Sequence, residues 1–310
     1  MTDNKTCGSD PPSPDPSTND ALAPHAEGVH PGASANAAEM REANAAAQAV
    51  AHASGILLKE LHELGELGEV YALFDRVWRP DPTRPPITRE FLRVLALTGN
   101  YVVGAYRHGE LVGAAVGLLG APVGRTLHSH LVAVDPSARG QHIGLALKLH
   151  QRASAIKRGI EAITWTFDPL QRRNAAFNIT RLGARVVEYL PNFYGPLDDG
   201  INGTDDSDRL LVCWPVGLSA LPDTESIAER DCVIALDRGD DGGPKIGDTD
   251  ARLLLAAVPL DIEALRGHSP AMAGAWRKAL REVLGGLLAE GAHVSGFDRA
   301  GWYLIERTGQ

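Results

Sequence analysis

Residues 131–150, "LVAVDPSARGQHIGLALKLH", run from an apolar strand through a Pro-containing turn and an Arg-Gly pair straight into a helix. A helix start carries N–H groups without intrahelical partners and the positive end of the helix dipole. Phosphate binds readily at such a point, and glycine lets it approach the backbone. Gly140 and Gly144 supply that access, and Arg139 adds a charge-assisted donor. Spacing alone leaves an ordinary strand-to-helix turn equally open. No Gly-Lys-Ser/Thr follows as in a P-loop, and the dinucleotide pattern G-x-G-x-x-G is absent.

Hydrophobic periodicity places further elements around this unit. "KELHELGELGEVYALFDRVWR" has helical spacing. "ITREFLRVLALTGN" reads as a short helix, with Thr88 as N-cap and Gly99 as its stop. Residues 101–106 and 111–119 read as a hairpin about "RHGE", and residues 127–134 as a third strand. The following helix turns Ile143, Leu147, Ala153 and Ile156 inward and Lys148, Gln151 and Arg152 outward, and Gly159 ends it. "EAITWTFD" is a strand, "QRRNAAFNITRLGA" a helix, and "RVVEYL" and "DRLLVCWPV" are strands joined by a long loop. After Trp214 the chain reads as loop through "DRGDDGGPKIGDTD". It resumes with the strand "ARLLLAAV", a helix containing "AWRKALREVLGGLLAEG" and the hairpin "HVSGFDRAGWYLIER". The order ααββ–βα–βα–ββ, then β–α–ββ, predicts a mixed α/β (α+β) protein with a C-terminal β-α-β-β extension.

Three regions follow. Residues 1–50, rich in Pro, Ser and Ala, read as a disordered tail, in which an Ala-rich stretch could form a marginal helix. Residues 56–216 carry the main domain, and residues 217–310 an α/β extension packed on it. A net charge of −9 disfavours a general nucleic-acid binder. Cys7, Cys213 and Cys232 are far apart, without metal-ligand spacing, and read as reduced thiols. No apolar run reaches the ~18 residues of a membrane span, and the polar N-terminus lacks the apolar core of a secretory signal. The expectation is a cytoplasmic protein with no metal, no nucleic acid and no membrane partner, with a homodimer left open.

"VAVDPSARGQHIGLAL" resembles the pyrophosphate-binding motif Q/R-x-x-G-x-G/A of the GCN5-related N-acetyltransferase (GNAT) superfamily. Arg139, Gly140, Gln141, Ile143 and Gly144 fit it, while His142 stands where the family usually has glycine. The element order over residues 59–216 is similar as well, and "WTFDPLQRRNAAFNITRLGA" with "LPNFYG" resembles a predicted acetyltransferase branch. The resemblance implies a mixed central sheet of the GNAT type in which two neighbouring parallel strands splay apart. The pantetheine arm of coenzyme A then lies against the first of them, here on the backbone of Val132, Ala133 and Val134. It also implies cofactor contacts from residues 139–144, and Asn174 and Phe177 on the later helix could line the same ligand; capping and core packing explain those two equally well.

Transfer of an acyl group from a thioester to an amine needs a neutral amine, a polarised carbonyl and a proton for the leaving thiolate. "TLHSHLVAV" puts His128 and His130 on one strand face, and imidazole can accept a proton at neutral pH. Family members often carry a carboxylate base near the position of His128. The alternative is a pair of hydrogen-bonded core or rim histidines. The family's usual tyrosine acid is missing, because Ile179 stands near its position; Tyr194, or Tyr189, could replace it, or simply pack. Asp168 could hold the substrate amine or form a turn before Pro169. Arg277 and Arg281, four apart, could grip a substrate carboxylate or lie on a solvated face. The resemblance thus implies an acyl-CoA-dependent N-acyltransferase. Acetyl-CoA is the default donor and succinyl or another acyl-CoA next. The acceptor is a primary amine of a small molecule such as an amino acid, attacking directly. The rival is a non-catalytic CoA-binding or interaction module that keeps the fold.

Overall fold

In the computed structural model the described residues are 33–81, 83–122, 124–195, 197, 205–217 and 231–307. A first sheet of seven strands is built from β1 (Leu57–Glu60), β2 (Tyr101–Arg107), β3 (Glu110–Leu119), β4 (Thr126–Val134), β5 (Ala162–Phe167), β6 (Arg185–Leu190) and β7 (Arg209–Pro215). Their order across the sheet is β1-β2-β3-β4-β5-β7-β6. Neighbours are antiparallel except β4 and β5, which are joined through a crossover helix and run parallel. β1 overlaps the start of the segment whose spacing reads as helical, at Lys59 and Glu60. Only four residues long and on the sheet edge, it is too short to show a period of two.

Two helices, α2 (Leu64–Trp78) and α3 (Arg89–Leu97), cover one face of this sheet. α2 starts at a capping box between Glu63 and Glu66. The Thr88 hydroxyl accepts from the Phe91 N–H at 3.1 Å, as the sequence predicts for the start of α3. Leu67, Val70, Leu73, Phe74, Leu92 and Leu95 pack there against Ala114, Val116 and Ala133 of the sheet.

The other face carries α4 (Ile143–Lys157), and the first described helix, α1 (Ala33–Ala53), packs on the outside of α4. Two sequence expectations are corrected here. Residues 33–50 are not an unstructured tail, because Ala43, Ala47 and Ala51 recur every four residues and are buried. Their small side chains let the α1 backbone come close to α4, a contact that bulk hydrophobicity does not signal. Residues 1–32 lie outside the described residues. Lys148, Gln151 and Arg152 are likewise buried, not solvent-facing. α4 is sandwiched between sheet and α1, so a helix that looks amphipathic is enclosed on both sides.

After β5 comes a short helix, α5 (Arg172–Ala175), that continues through a π-helical turn over Ala176–Arg181. A second sheet of five strands, ordered β11-β12-β10-β8-β9, closes the chain. It comprises β8 (Val233–Arg238), β9 (Pro244–Ile246), β10 (Leu253–Ala257), β11 (His293–Asp298) and β12 (Trp302–Glu306). Helices α6 (Ile262–His268), α7 (Pro270–Leu280) and α8 (Gly286–Ala289) lie between β10 and β11. The β-α-β-β order is thus present but preceded by β8 and β9. These two strands lie in the segment read as loop, whose Gly and Asp residues form the turn between them; the Trp276 indole N–H donates to the Gly242 carbonyl of that turn at 3.0 Å.

Candidate functional site

β4 and β5 pair over only three positions, Thr126 with Ala162, Leu127 with Ile163 and His128 with Thr164. Beyond them both strands continue, β4 to Val134 and β5 to Phe167, without a register between them. A β-bulge contributes to the parting. Val116 of β3 faces Leu131 and Gly117 faces Ser129, so His130 is the extra residue. On its other side β4 stays bonded to β3, with Val132, Ala133 and Val134 opposite Ala115, Ala114 and Gly113. In an antiparallel ladder alternate residues aim their N–H and C=O groups away from the partner. The β4 edge therefore offers backbone groups to an amide-bearing ligand in the opening, as a strand would take them.

The bulge also sorts the side chains. Leu131 and Ala133 pack toward α2 and α3, whereas Leu127, Val132 and Val134 pack toward α4. His128 and His130 lie on the α2–α3 side, with ring centroids 6.4 Å apart. His128 Nδ1 is 3.1 Å from Thr164 Oγ1. Burial, then the charges of His130 and Lys148, push its imidazole down to about 4, so it is neutral at physiological pH. Burial also lowers His130, against a hydrogen bond with the Pro86 backbone ahead of α3.

Thr166, two residues along β5 on the same face, is 3.0 Å from the Tyr194 hydroxyl. Tyr194 is exposed, with Arg209 over its ring at 5.3 Å. One face at the parting of the strands therefore carries His130, His128, Thr164, Thr166 and Tyr194. The two threonines escaped the sequence reading, although the alternation in "AITWTFD" places them on one face.

The open end of β4 leads into the anion-binding turn. Asp135 caps a 3₁₀ turn, Pro136–Ala138, by accepting from the Ser137 N–H at 3.0 Å. Arg139 is extended and exposed, Gly140 has φ +78° and His142 has φ +59°. The motif's departure from glycine thus places a non-glycine side chain in the left-handed region. The first intrahelical bond of α4 runs from the Ala146 N–H to the His142 carbonyl at 3.0 Å. The N–H groups of Ile143, Gly144 and Leu145 precede it and are available to an anion. A Cβ on Gly140 would meet nothing within 4 Å, and one on Gly144 would meet only Val134 Cγ2, at 3.9 Å. Space in front of the turn is therefore open. The Gln141 side chain is engaged by Arg107, and Ile143 is buried in the core, so both can serve an anion only through their backbone.

Apart from Tyr194 and Arg209, those features sit inside residues 67–183, which match the model of the Acetyltransferase (GNAT) family. Residues 67–183 are a GNAT acetyltransferase domain. Solved structures similar to the chain include the ribosomal-protein-S18-alanine N-acetyltransferase of Escherichia coli, at 17% identity and TM-score 0.43, covering 53% of this chain and 96% of that one. They also include yncA of Salmonella typhimurium with its cofactor acetyl-CoA, at 14% identity and TM-score 0.41, covering 55% of this chain and 99% of that one. An aminoglycoside 6'-N-acetyltransferase complexed with coenzyme A matches at 16% identity and TM-score 0.39, covering 53% of this chain and 99% of that one. No curated protein matches the chain.

Four sequence candidates have other occupations around this GNAT domain. Asp168, at the end of β5, is buried, and Arg277 Nη1 and Nη2 donate to its two oxygens at 2.7 and 3.0 Å. Arg266 adds a bond of 2.6 Å. Burial opposes ionisation of Asp168, but the Arg277 charge and hydrogen bonds outweigh it and hold the carboxyl well below the usual carboxylate range. A carboxylate so engaged neither takes a proton nor holds a substrate amine. Arg277 and Arg281 do not meet a substrate carboxylate either. Arg277 also reaches Asp205 at 3.0 Å, and Arg281 reaches Asp208 at 2.6 Å. Tyr189 donates to Asp208 at 2.7 Å, and burial followed by that carboxylate drives its hydroxyl far above the ordinary tyrosine range. This excludes it as an acid. Asn174 is exposed on α5, Phe177 packs half-buried against the main core, and Ile179 is buried.

Among the described residues no group of three or more His, Cys, Asp or Glu side chains could hold a metal ion, and no helix is long and apolar enough to cross a membrane.

Proposed function

We propose that the chain is an acyl-CoA-dependent N-acyltransferase that moves an acyl group, acetyl by default, to a primary amine of a small molecule such as an amino acid. The parting of β4 and β5 beyond His128 and Thr164 carries this reading. It leaves an edge of backbone polar groups that leads to a helix start with free N–H groups and open space.

In this reading the N–H groups of Ile143, Gly144 and Leu145 hold a pyrophosphate, with Arg139 as a charged donor, and the outward backbone of Val132, Ala133 and Val134 holds the amide-bearing arm. Bound coenzyme A supplies an activated thioester. His128 takes the acceptor's proton, directly or through a water. Its neutral imidazole is free for this at neutral pH, and Thr164 fixes the ring. His130, anchored on Pro86, lines the acceptor side, and the Tyr194–Thr166 pair forms the opposite polar wall. Asn174, exposed on α5, borders the cofactor end. None of these steps uses a cysteine, and burial raises the Cys213 thiol further from its reactive form.

The test is release of coenzyme A thiol from acetyl-CoA in the presence of a panel of amino acids, amino-acid amides and diamines, with His128→Gln beside the wild type. The reading expects turnover with at least one amine and a loss of at least ~100-fold in the variant. Binding of coenzyme A without turnover of any amine would favour the non-catalytic module instead.

A further inference from the structure

Behind the opening, on the α4 face, sits a side chain that packing alone does not explain. Lys148 is 4% exposed. Its Nζ donates to Ser129 Oγ at 2.9 Å and lies 3.6 Å from the centre of the Trp165 ring. Burial is what lowers its amine, to about 7, and no carboxylate opposes it. A desolvated ammonium without a counter-anion is among the least favourable groups to place in a core, and a plain aliphatic chain there would be more stable.

Its location is specific. Ser129 and Trp165 are the first residues beyond the last β4–β5 pair, His128 with Thr164. Nζ therefore stands where the strands part, on the face opposite His128. Further polar atoms lie nearby without partners. Both amide atoms of Gln151 and the Trp165 indole N–H are buried and unbonded, and Gln151 Nε2 lies against Gly117, the partner of Ser129. Of the ionisable groups, His128 on β4 feels the Lys148 charge; His150 and Arg152 follow it on α4, where Glu60 acts on His150 and Glu39 and Glu42 of α1 act on Arg152.

We propose that Lys148 is the proton donor to the thiolate released from coenzyme A, so that base and acid approach the opening from opposite faces of the sheet. The inference rests on the acyl-transfer reading above. As the acceptor nitrogen bonds to the acyl carbon, the C–S bond breaks and its electron pair stays on sulfur. Sulfur takes a proton from Lys148 Nζ while His128 takes one from the acceptor nitrogen. Solvent then restores both groups, giving amide and free thiol. A desolvated positive charge aimed at a site where negative charge develops also stabilises that step electrostatically. An acid works protonated, so turnover should fall as pH rises through the Lys148 titration.

The experiment uses the full chain, acetyl-CoA and hydroxylamine, an acceptor already neutral at pH 7 and above, so that its own ionisation adds no limb there. Lys148→Met should stay folded, melt above the wild type and bind coenzyme A within threefold. Its kcat should drop at least ~100-fold, and the alkaline decline of the wild-type profile should vanish. Lys148→Gln provides the same comparison should the Met variant not fold. A folded Lys148 variant with near-wild-type kcat and an unchanged pH profile overturns the proposal. So does Tyr194→Phe showing the loss while Lys148→Met does not, which would make the tyrosine the acid. A wild type that binds coenzyme A but turns over with neither hydroxylamine nor the amine panel refutes the acyl-transfer reading itself, and this proposal with it.

Discussion

Asp168→Asn separates two roles for a residue that the sequence leaves open between substrate contact and structure. Asparagine keeps the shape but not the charge, and its amide group points a donor at guanidinium donors. Asp168 is 6% exposed and accepts three bonds from arginines, at 2.7 and 3.0 Å from Arg277 and 2.6 Å from Arg266, and a fourth from the Leu170 N–H at 2.9 Å. Breaking a buried ion pair by removing one partner costs about 3–5 kcal/mol. The lower end applies here, because Asp205 still faces both guanidinium groups, at 3.0 Å from Arg277 and 3.3 Å from Arg266. About 3 kcal/mol should lower the melting temperature by roughly 6–12 °C. Circular dichroism melts measure this directly, and a paired Asp168→Leu/Arg277→Met variant should recover much of the loss. Assayed well below its melting point, the Asn variant should bind coenzyme A and turn over within a few fold of wild type. A variant with wild-type stability and abolished turnover would refute the structural role and make Asp168 part of the acceptor site. The sign of the pH effect follows. The folded carboxyl is held below its ordinary value, so the stabilisation is present at neutral pH and is lost as pH falls below the unfolded carboxyl's titration.

Gly144→Glu should abolish coenzyme A binding by calorimetry without unfolding the chain, because its Cβ meets only Val134 at 3.9 Å; Gly140→Glu should do the same with added backbone strain from φ +78°. Deleting α1 (Ala33–Ala53) should lower the melting temperature, since it uncovers the outer side of α4; an unchanged melt would restore the tail reading. His128 is neutral in the fold down to about pH 4, against 6.5 for an ordinary histidine. The unfolded chain therefore takes its proton first, and stability should fall between about pH 6.5 and 4, less steeply in His128→Gln. For the same reason His128 should produce no loss of rate near the ordinary imidazole value, which a pH profile of kcat at saturating substrates checks.

The sequence reads most clearly where local chemistry decides structure. The Asp-Pro turn, the Arg139-Gly140 pair and the apolar strand ahead of them mark the β4–α4 junction, and alternation marks the face shared by His128 and His130. Long-range pairing hides the rest. Asp168, Arg277 and Arg281 look like site residues because each alone is a charged side chain in a suggestive place. Only the fold brings α7 onto the end of β5 and neutralises them. Lys148, Gln151 and Arg152 look solvent-facing because their partners are far away in the chain: Lys148 meets Ser129 and Trp165 of the sheet, Gln151 lies against Gly117, and Arg152 reaches the Val216 carbonyl. The bulge at His130, which sets the side-chain faces at the parting of the strands, depends on register with β3, and the short strands β1 and β9 give too few residues to show a period.

The central claim is that coenzyme A lies between β4 and β5. A crystal structure of the full chain with coenzyme A tests it most directly. The account predicts the pyrophosphate on the N–H groups of residues 143–145, pantetheine amides paired with the β4 backbone at Val132–Val134, and sulfur between Ser129 and Trp165. Coenzyme A bound elsewhere on the chain, or a β4–β5 opening closed by continuous strand pairing with no ligand in it, would contradict the claim.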